Sequence, residues 1–156
     1  MADEAPVHLL SFSVARQAYA LLLGSVERVL CAAEAAPLPK APPIVSGVLN
    51  LAGDVIALID VRKRLGLPSR EIEPEDRIIL ARCVSRRVGL LVDSVGGVVT
   101  VGPDRVRDAT DVVPGLDYVR GIVALEDGLL LISDLDAFLS LEEAAQLDRA
   151  LEESRP

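Results

Sequence analysis

The chain has 156 residues, 51% of them hydrophobic but only 3% aromatic, with no tryptophan and a formal net charge of −8. That length suits one compact domain or two small subdomains sharing a core, and the core must be built from Val, Leu, Ile and Ala, a composition that favours strands. The acidic balance argues against a nucleic-acid partner, because counterion release needs clustered Lys and Arg and no aromatic platform compensates.

Residues 1–6 read as a short leader. Val7–Val14 is expected to be a strand, Ala15-Arg16-Gln17 a turn, Tyr19–Leu23 a second strand broken by Gly24-Ser25, and Val26–Cys31 a third. Four prolines between residues 35 and 43 exclude regular structure there. Ile44–Leu51 and Asp54–Asp60 form a strand pair around Ala52-Gly53, and the unbroken apolar run Val55–Ile59 suits a strand buried on both faces. Val61–Gly66 predicts one helical turn, stopped by Gly66 and Pro68. The polar segment Pro68–Glu75 reads as a linker.

Strands resume at Arg77–Cys83 and Arg86–Val92, joined near Val84-Ser85, and continue at Ser94–Val101, where Gly96-Gly97 suggests a bulge. Residues 102–117 read as irregular. Tyr118–Leu125 and Leu129–Ser133 form a hairpin across Asp127-Gly128. Leu135–Leu139 predicts another helical turn. Leu141–Glu153 predicts a terminal helix, with Ser140 as N-cap, Glu142 and Glu143 in the first turn, and Leu141, Ala144, Leu147 and Leu151 on one face.

The two cysteines, Cys31 and Cys83, lie beside apolar residues in no C-x-x-C pattern, which favours two buried thiols over a disulfide. No charged stretch leads into an apolar run at the N-terminus, so no signal peptide is expected, and no apolar run approaches the ~20 residues of a membrane span. The chain reads as cytoplasmic.

The two halves resemble each other. Gly47–Leu51, a turn and Val55–Val61 run in step, without a gap, with Gly121–Leu125, a turn and Leu129–Leu135. Upstream, Leu21–Val26 runs in step with Leu90–Val95. Two similar β subdomains of about five strands each follow, and small barrels would remove their exposed edges.

Chemistry is hard to find. The single histidine, His8, sits near a terminus without evident partners for a zinc or triad role. Asp54, Asp60, Asp76, Asp93 and Asp134 could supply paired acids, but Asp60 and Asp134 occupy matching strand ends, where turn or cap roles are expected. Gly96-Gly97 opens no helix bearing a phosphate-binding lysine. No cofactor or metal is implied, and a binding module is favoured over an enzyme or a ligand-binding barrel. Such modules use apolar patches with polar rims, and Glu27 and Arg28 beside Val26 and Val29, or Arg120 beside Val119, offer that mixture.

From about residue 7 to residue 154 the chain resembles the CheW family. Gly47-Val48-Leu49-Asn50-Leu51-Ala52-Gly53 through Asp60-Val61-Arg62 is similar to the signature G-x-x-N-L-R-G-x-x-x-P-x-x-D-L-R. Val88–Val95, Tyr118–Ile122, Leu130–Asp134 and the closing Leu139–Leu151 are further matches.

The resemblance implies a single all-β CheW-like domain over 1–156, made of two interlocked five-stranded SH3-like barrels. Residues 7–67, with contributions from the C-terminal segment, would form subdomain 1 and 76–139 subdomain 2, with short helical turns and a C-terminal helix at 140–154. It also implies a non-catalytic adaptor between the cytoplasmic tip of a chemoreceptor and the regulatory domain of a CheA-type histidine kinase, without direct membrane insertion. Alternatives are a variant that binds one partner only and acts as an array spacer or modulator, or an enzyme or small-ligand barrel.

Carried over residue by residue, the receptor groove would involve Val26, Arg28, Gly47, Asn50, Ala52, Val55 and Val95. The kinase side would involve Ile78 and Ile79. For Val55 and Ile79, core packing is an equal alternative. Two positions depart from the family pattern: its N-L-R-G arginine is Ala52, and the acid that commonly faces that arginine is Arg28, so both members of one charge pair are changed.

Overall fold

In a computed structural model of the chain, residues 5–83, 86–108 and 118–154 are described. The expected turn at Val84-Ser85 and residues 109–117 of the expected irregular stretch lie outside them. Among the described residues the strands are β1 (Val7–Val14), β2 (Gln17–Leu22), β3 (Val26–Cys31), β4 (Val45–Leu51), β5 (Asp54–Asp60), β6 (Arg77–Arg82), β7 (Arg87–Val92), β8 (Ser94–Val101), β9 (Arg107–Asp108), β10 (Val119–Leu125) and β11 (Gly128–Ser133). The helices are α1 (Val61–Arg64) and α2 (Leu141–Glu153), and Leu23–Ser25, Pro103–Arg105 and Leu135–Ala137 form 3-10 turns.

The strands form one sheet of six in the order β8-β1-β2-β11-β10-β9 and one of five in the order β3-β6-β7-β5-β4. Leaving β9 aside, the two orders are the same pattern. Each sheet holds an antiparallel hairpin (β1–β2 or β6–β7), a second hairpin added in parallel to it (β10–β11 on β2, β4–β5 on β7), and a fifth strand on the far edge (β8 on β1, β3 on β6). The internal repeat is therefore structural. The sixth strand, absent from the expected five, is the two-residue β9, which pairs with β10.

The sheets do not divide the chain where the linker does. In each repeat the first hairpin lies in one sheet and the next three strands in the other. Val26–Val92 thus supplies the whole five-stranded sheet, and the 68–75 segment joins α1 to β6 within it rather than separating two sheets. A division at residues 67 and 76 follows chain order, whereas pairing follows the exchange of hairpins between repeats.

The main core draws Leu10, Phe12, Val14 and Leu21 from one sheet, Ala57, Ile59, Ile79, Ala81, Val88, Leu90 and Val92 from the other, and Leu147 from α2. A second cluster, including Leu9, Ala20, Val123, Leu130 and Ile132, fills the other face of the six-stranded sheet. β1 is thus covered on both faces, because successive residues point to opposite sides. The chain's two Phe and two Tyr make two ring pairs, Phe12 with Tyr19 at 5.8 Å and Tyr118 with Phe138 at 6.4 Å. The bulge expected at Gly96-Gly97 is present: Ser11 pairs with Gly97 and Phe12 with Val95, leaving Gly96 unmatched.

Ser140 and Glu143 close a reciprocal capping box on α2, and the Glu143 carboxylate also receives Arg64, whose guanidinium lies 5.4 Å from the Tyr118 ring centre. Asp60 caps α1 through the Lys63 N–H and accepts the Ser69 hydroxyl at 2.9 Å, the cap role its position suggests. The expected free thiols are present, but neither is fully buried. Cys83 is half-buried, but Cys31 is exposed because β3 is an edge strand, and neither is in a disulfide.

The chain passes between sheets at two matching places, after β2 and after β7. At the second, Asp93 is the single residue between strands. Its carboxylate accepts the Ala15 N–H at 2.8 Å and the Arg62 Nε–H at 3.0 Å, and forms an ion pair with Arg70 Nη2 at 3.1 Å. Arg70 also pairs with the buried Asp76 at 2.8 Å. One carboxylate thereby ties the β1–β2 turn, α1 and the 68–75 segment to the crossing point. Burial alone would raise the Asp93 pKa, but the Arg62 and Ala15 hydrogen bonds and the two arginine charges outweigh it and leave the carboxyl below its ordinary value.

Because the folded pKa lies below the unfolded one, this stabilisation is complete above the unfolded value near 4 and is lost as pH falls through the folded value. Asp93→Asn should cost about 2–3 kcal/mol at neutral pH by chemical denaturation, and should flatten the decline of stability below about pH 5. A second expectation concerns the β4–β5 turn, where Ala52 (φ 52°) precedes Gly53 (φ 92°). A left-handed alanine is strained, so Ala52→Asn should stabilise by about 0.5–1 kcal/mol in the same measurement.

Candidate functional site

The positions singled out in the sequence fall into four places. Asn50 and Val55 face each other near the tip of the β4–β5 hairpin, with Ala52 in its turn. The Asn50 side-chain oxygen accepts the Gly53 N–H at 3.0 Å and so holds the turn. Val55, for which core packing was an equal alternative, is 56% exposed, although the five residues of β5 that follow it are buried. At the opposite edge of the same sheet, β3 carries Val26, half-buried against the main core, and the exposed Arg28. Val95 is half-buried against that core from β8. Val26 and Val95 thus sit just past the two matching crossings between sheets, as the repeat requires.

The remaining three are buried. A Cβ on Gly47 would lie 2.3 Å from the Ala36 carbonyl oxygen, so glycine there lets the 36 segment close on β4 through the Ala36–Val48 bridge. Gly47 shapes the surface without offering a side chain to it. Ile78 and Ile79, expected on the kinase side, are 1% and 0% exposed. β6 is an interior strand between β3 and β7, so neither side chain can reach a partner without disrupting the fold. Their role is core packing.

An arginine that the sequence did not single out joins the two exposed groups. Arg87, on β7, meets Glu27 on β3 with Nη2 at 2.8 Å and Nε at 3.0 Å, and reaches Asp54 on β5 with Nη1 at 3.1 Å. Arg82 stands 3.6 Å from the same Glu27. The hydrogen bond from Arg87, with the nearby arginine charges, outweighs desolvation and holds the Glu27 carboxyl below its ordinary range; the same bond raises the Arg87 pKa.

In place of the charge pair missing at positions 28 and 52, Glu27, one residue from Arg28, and Asp54, two residues from Ala52, are both held by Arg87 of β7. Only the strand register, which sets β3, β6, β7 and β5 side by side, could have revealed it. Beside this clasp is a notch of about 410 Å³, whose wall includes Val55, Arg82, Arg87 and, from α2, Leu151. Arg86 pairs with Asp148 of α2 at 2.8 Å. The result is an exposed valine set among paired charges, a surface suited to docking.

Four of the five candidate acids have structural partners, whereas Asp134 stands at the N-cap of the 135–137 turn without the side-chain cap bond its match to Asp60 suggests. Asp54 joins the clasp, Asp60 caps α1, and Asp76 and Asp93 hold arginines. His8 Nδ1 lies 3.0 Å from the Thr100 hydroxyl. Among the described residues no three His, Cys, Asp or Glu side chains converge on a metal position, and no helix is long and apolar enough to cross a membrane.

Arg87→Gln should release the two ends of the clasp, raising amide hydrogen exchange at Arg28 and Val55 while leaving the Ile79 amide protected. Ile79→Ala should instead cost about 2–4 kcal/mol of global stability, read by chemical denaturation.

Residues 8–143 match the family model of the CheW-like domain. A chemotaxis protein CheW of Rhizobium meliloti is 33% identical over 137 residues, covering 86% of this chain and 88% of that protein. A chemotaxis protein CheW of Bacillus subtilis is 34% identical over 143 residues, covering 87% and 88%. Among solved structures, the scaffolding protein TtCheW of Thermoanaerobacter tengcongensis superposes with a TM-score of 0.81 at 26% identity, covering 89% of this chain and 96% of that one.

Proposed function

Because the chain belongs to the family of CheW-like domains, we propose that it is a non-catalytic adaptor that couples chemoreceptors to a CheA-type histidine kinase. The observation that carries this reading is the match of one family over residues 8–143, supported by a TM-score of 0.81 with a protein described as a scaffold. The protein works in the cytoplasm, recruited to receptor arrays through its partners.

The receptor tip docks across the β4–β5 hairpin, the β3 edge that Arg87 links to it, and the crossings at Val26 and Val95. Arg28, Asn50, Ala52 and Val55 are the residues it meets, and Gly47 holds the hairpin's shape. The kinase regulatory domain, itself CheW-like in the family, engages a separate surface of strand ends and loops. Ile78 and Ile79 support that surface from below without touching the partner.

A second reading has one specific observation in its favour. Ala52 and Arg28 replace a charge pair common in the family, so the charge of the receptor-facing surface is altered. An adaptor so changed would serve a receptor of matching charge, or would keep the kinase alone and act as a spacer in the array.

Titration calorimetry against a receptor-tip hairpin and a CheA-type regulatory domain from the same genome separates these. Micromolar binding to both supports the coupling role. Binding to one only supports the spacer, and binding to neither overturns the proposal. Val55→Glu, at an exposed position, should weaken receptor-tip binding at least tenfold with Tm unchanged, and equal binding would remove the hairpin from the docking surface.

A further inference from the structure

The five-stranded sheet sets two like charges face to face. β6 and β7 are antiparallel, and their register places Arg82 directly opposite Arg87. Like charges in facing positions destabilise a strand pair. Glu27 lies against both. Its carboxylate accepts Arg87 Nη2 at 2.8 Å and Nε at 3.0 Å, and stands 3.6 Å from Arg82 Nε. The opposing charge comes from neither strand of the pair but from β3, the edge strand beside β6.

β3 delivers it through an irregularity. Val26 pairs with Ala81 and Arg28 with Leu80, so Glu27 has no partner in the ladder. An extra residue of this kind re-aims a side chain. The other repeat has the same bulge in the same place. Carrying the match of Leu21–Val26 with Leu90–Val95 one residue further sets Glu27 against Gly96, the unmatched residue of β8. A Cβ on Gly96 would lie 2.6 Å from the Ser11 hydroxyl oxygen, so that bulge is closed without a side chain. The bulge therefore belongs to the shared fold, whereas the carboxylate is carried by β3 and not by β8.

The same guanidinium reaches the other end of the docking surface, with Arg87 Nη1 3.1 Å from Asp54. Arg28 follows Glu27 in the chain, and Val55 follows Asp54. The two separated parts of the proposed receptor surface are thus each one residue from an acid held by Arg87.

We propose that Glu27 is a positioning residue of the receptor-docking surface: it holds Arg87 between itself and Asp54, and so fixes the β4–β5 hairpin relative to the β3 edge before the receptor tip arrives. A surface already set in place loses less freedom on binding. Glu27 acts through Arg87 and does not itself meet the tip. The inference rests on the receptor-docking reading for the identity of the partner, but not for the positioning of the hairpin.

Two experiments test it. The first is heteronuclear NMR of the free full-length protein, which reads the Arg87 Nε–H directly. Glu27→Gln should speed exchange of that proton and lower the backbone order parameter of Val55 by about 0.1, with that of Ile79 unchanged. An unchanged Val55 would overturn the claim that Glu27 positions the hairpin.

The second is calorimetry with the receptor-tip hairpin. Glu27→Gln and Arg87→Gln should each weaken binding about fivefold, and the double variant no more than either alone, because the two act as one unit. The Tm of Glu27→Gln should stay within about 2 °C of the unaltered protein. Losses that multiply in the double variant would mean that Glu27 meets the tip itself, and would overturn the positioning role. If the unaltered protein binds and Glu27→Gln binds equally well, the inference fails while the adaptor reading stands. If the unaltered protein does not bind, the adaptor reading fails, and the NMR comparison alone decides whether Glu27 positions the hairpin.

Discussion

The exchange of hairpins between the two repeats is the constraint on which the rest of the structure depends. Each repeat leaves its first hairpin in one sheet and sends its next three strands to the other, so neither sheet is complete without both halves of the chain. The main core is shared for the same reason, with β1 and β2 contributing to it from one sheet and β5, β6 and β7 from the other. A protein held in this way buries its aliphatic residues without aromatic bulk, because two modest sheets cover each other. Asp93 stands where one exchange occurs and gathers Ala15, Arg62 and Arg70 around it. The donors around this partly buried carboxylate offset the cost of desolvating it, and removing it would leave them unpaired.

The same exchange positions the exposed features. β3 is an edge strand only because it leaves β2 and pairs with β6, and it brings Val26, Glu27 and Arg28 to the border of the five-stranded sheet. The β4–β5 hairpin joins the far side of that sheet in parallel to β7. Arg87 on β7 then spans from Glu27 to Asp54. Rigid strands thus present a mobile element's usual contacts, an exposed valine and a ring of charges, without needing a long loop. An adaptor benefits from this arrangement because affinity is not lost to ordering a flexible surface.

Much of this was legible in the sequence, and the reasons differ by element. β1, β3, β5 and β8 fall at their expected bounds because breakers flank their apolar runs: Ala15-Arg16 follows Val14, and Ala52-Gly53 precedes Asp54. The Ser140 cap and Glu143 fixed α2 through local chemistry alone. The repeat was visible as matched segments, but the exchange was not, since similarity between halves says nothing about which half a strand pairs with. β9 was invisible because a two-residue strand carries no periodicity. Within the site, Val55 looked like core because it opens a continuous apolar run, yet the hairpin tip lifts it out. Ile78 and Ile79 looked available only because their strand's interior place was unknown. Arg87 had no local signal at all, and its role appears only when three strands are set side by side.

As a coupling adaptor, this small fold would hold two partners at once through separate surfaces. The most direct measurement is analytical ultracentrifugation of this protein mixed with a receptor-tip hairpin and a CheA-type regulatory domain. The account predicts a three-component complex that sediments faster than either two-component mixture. Partners that displace each other, leaving only two-component species at saturating concentrations, would contradict it.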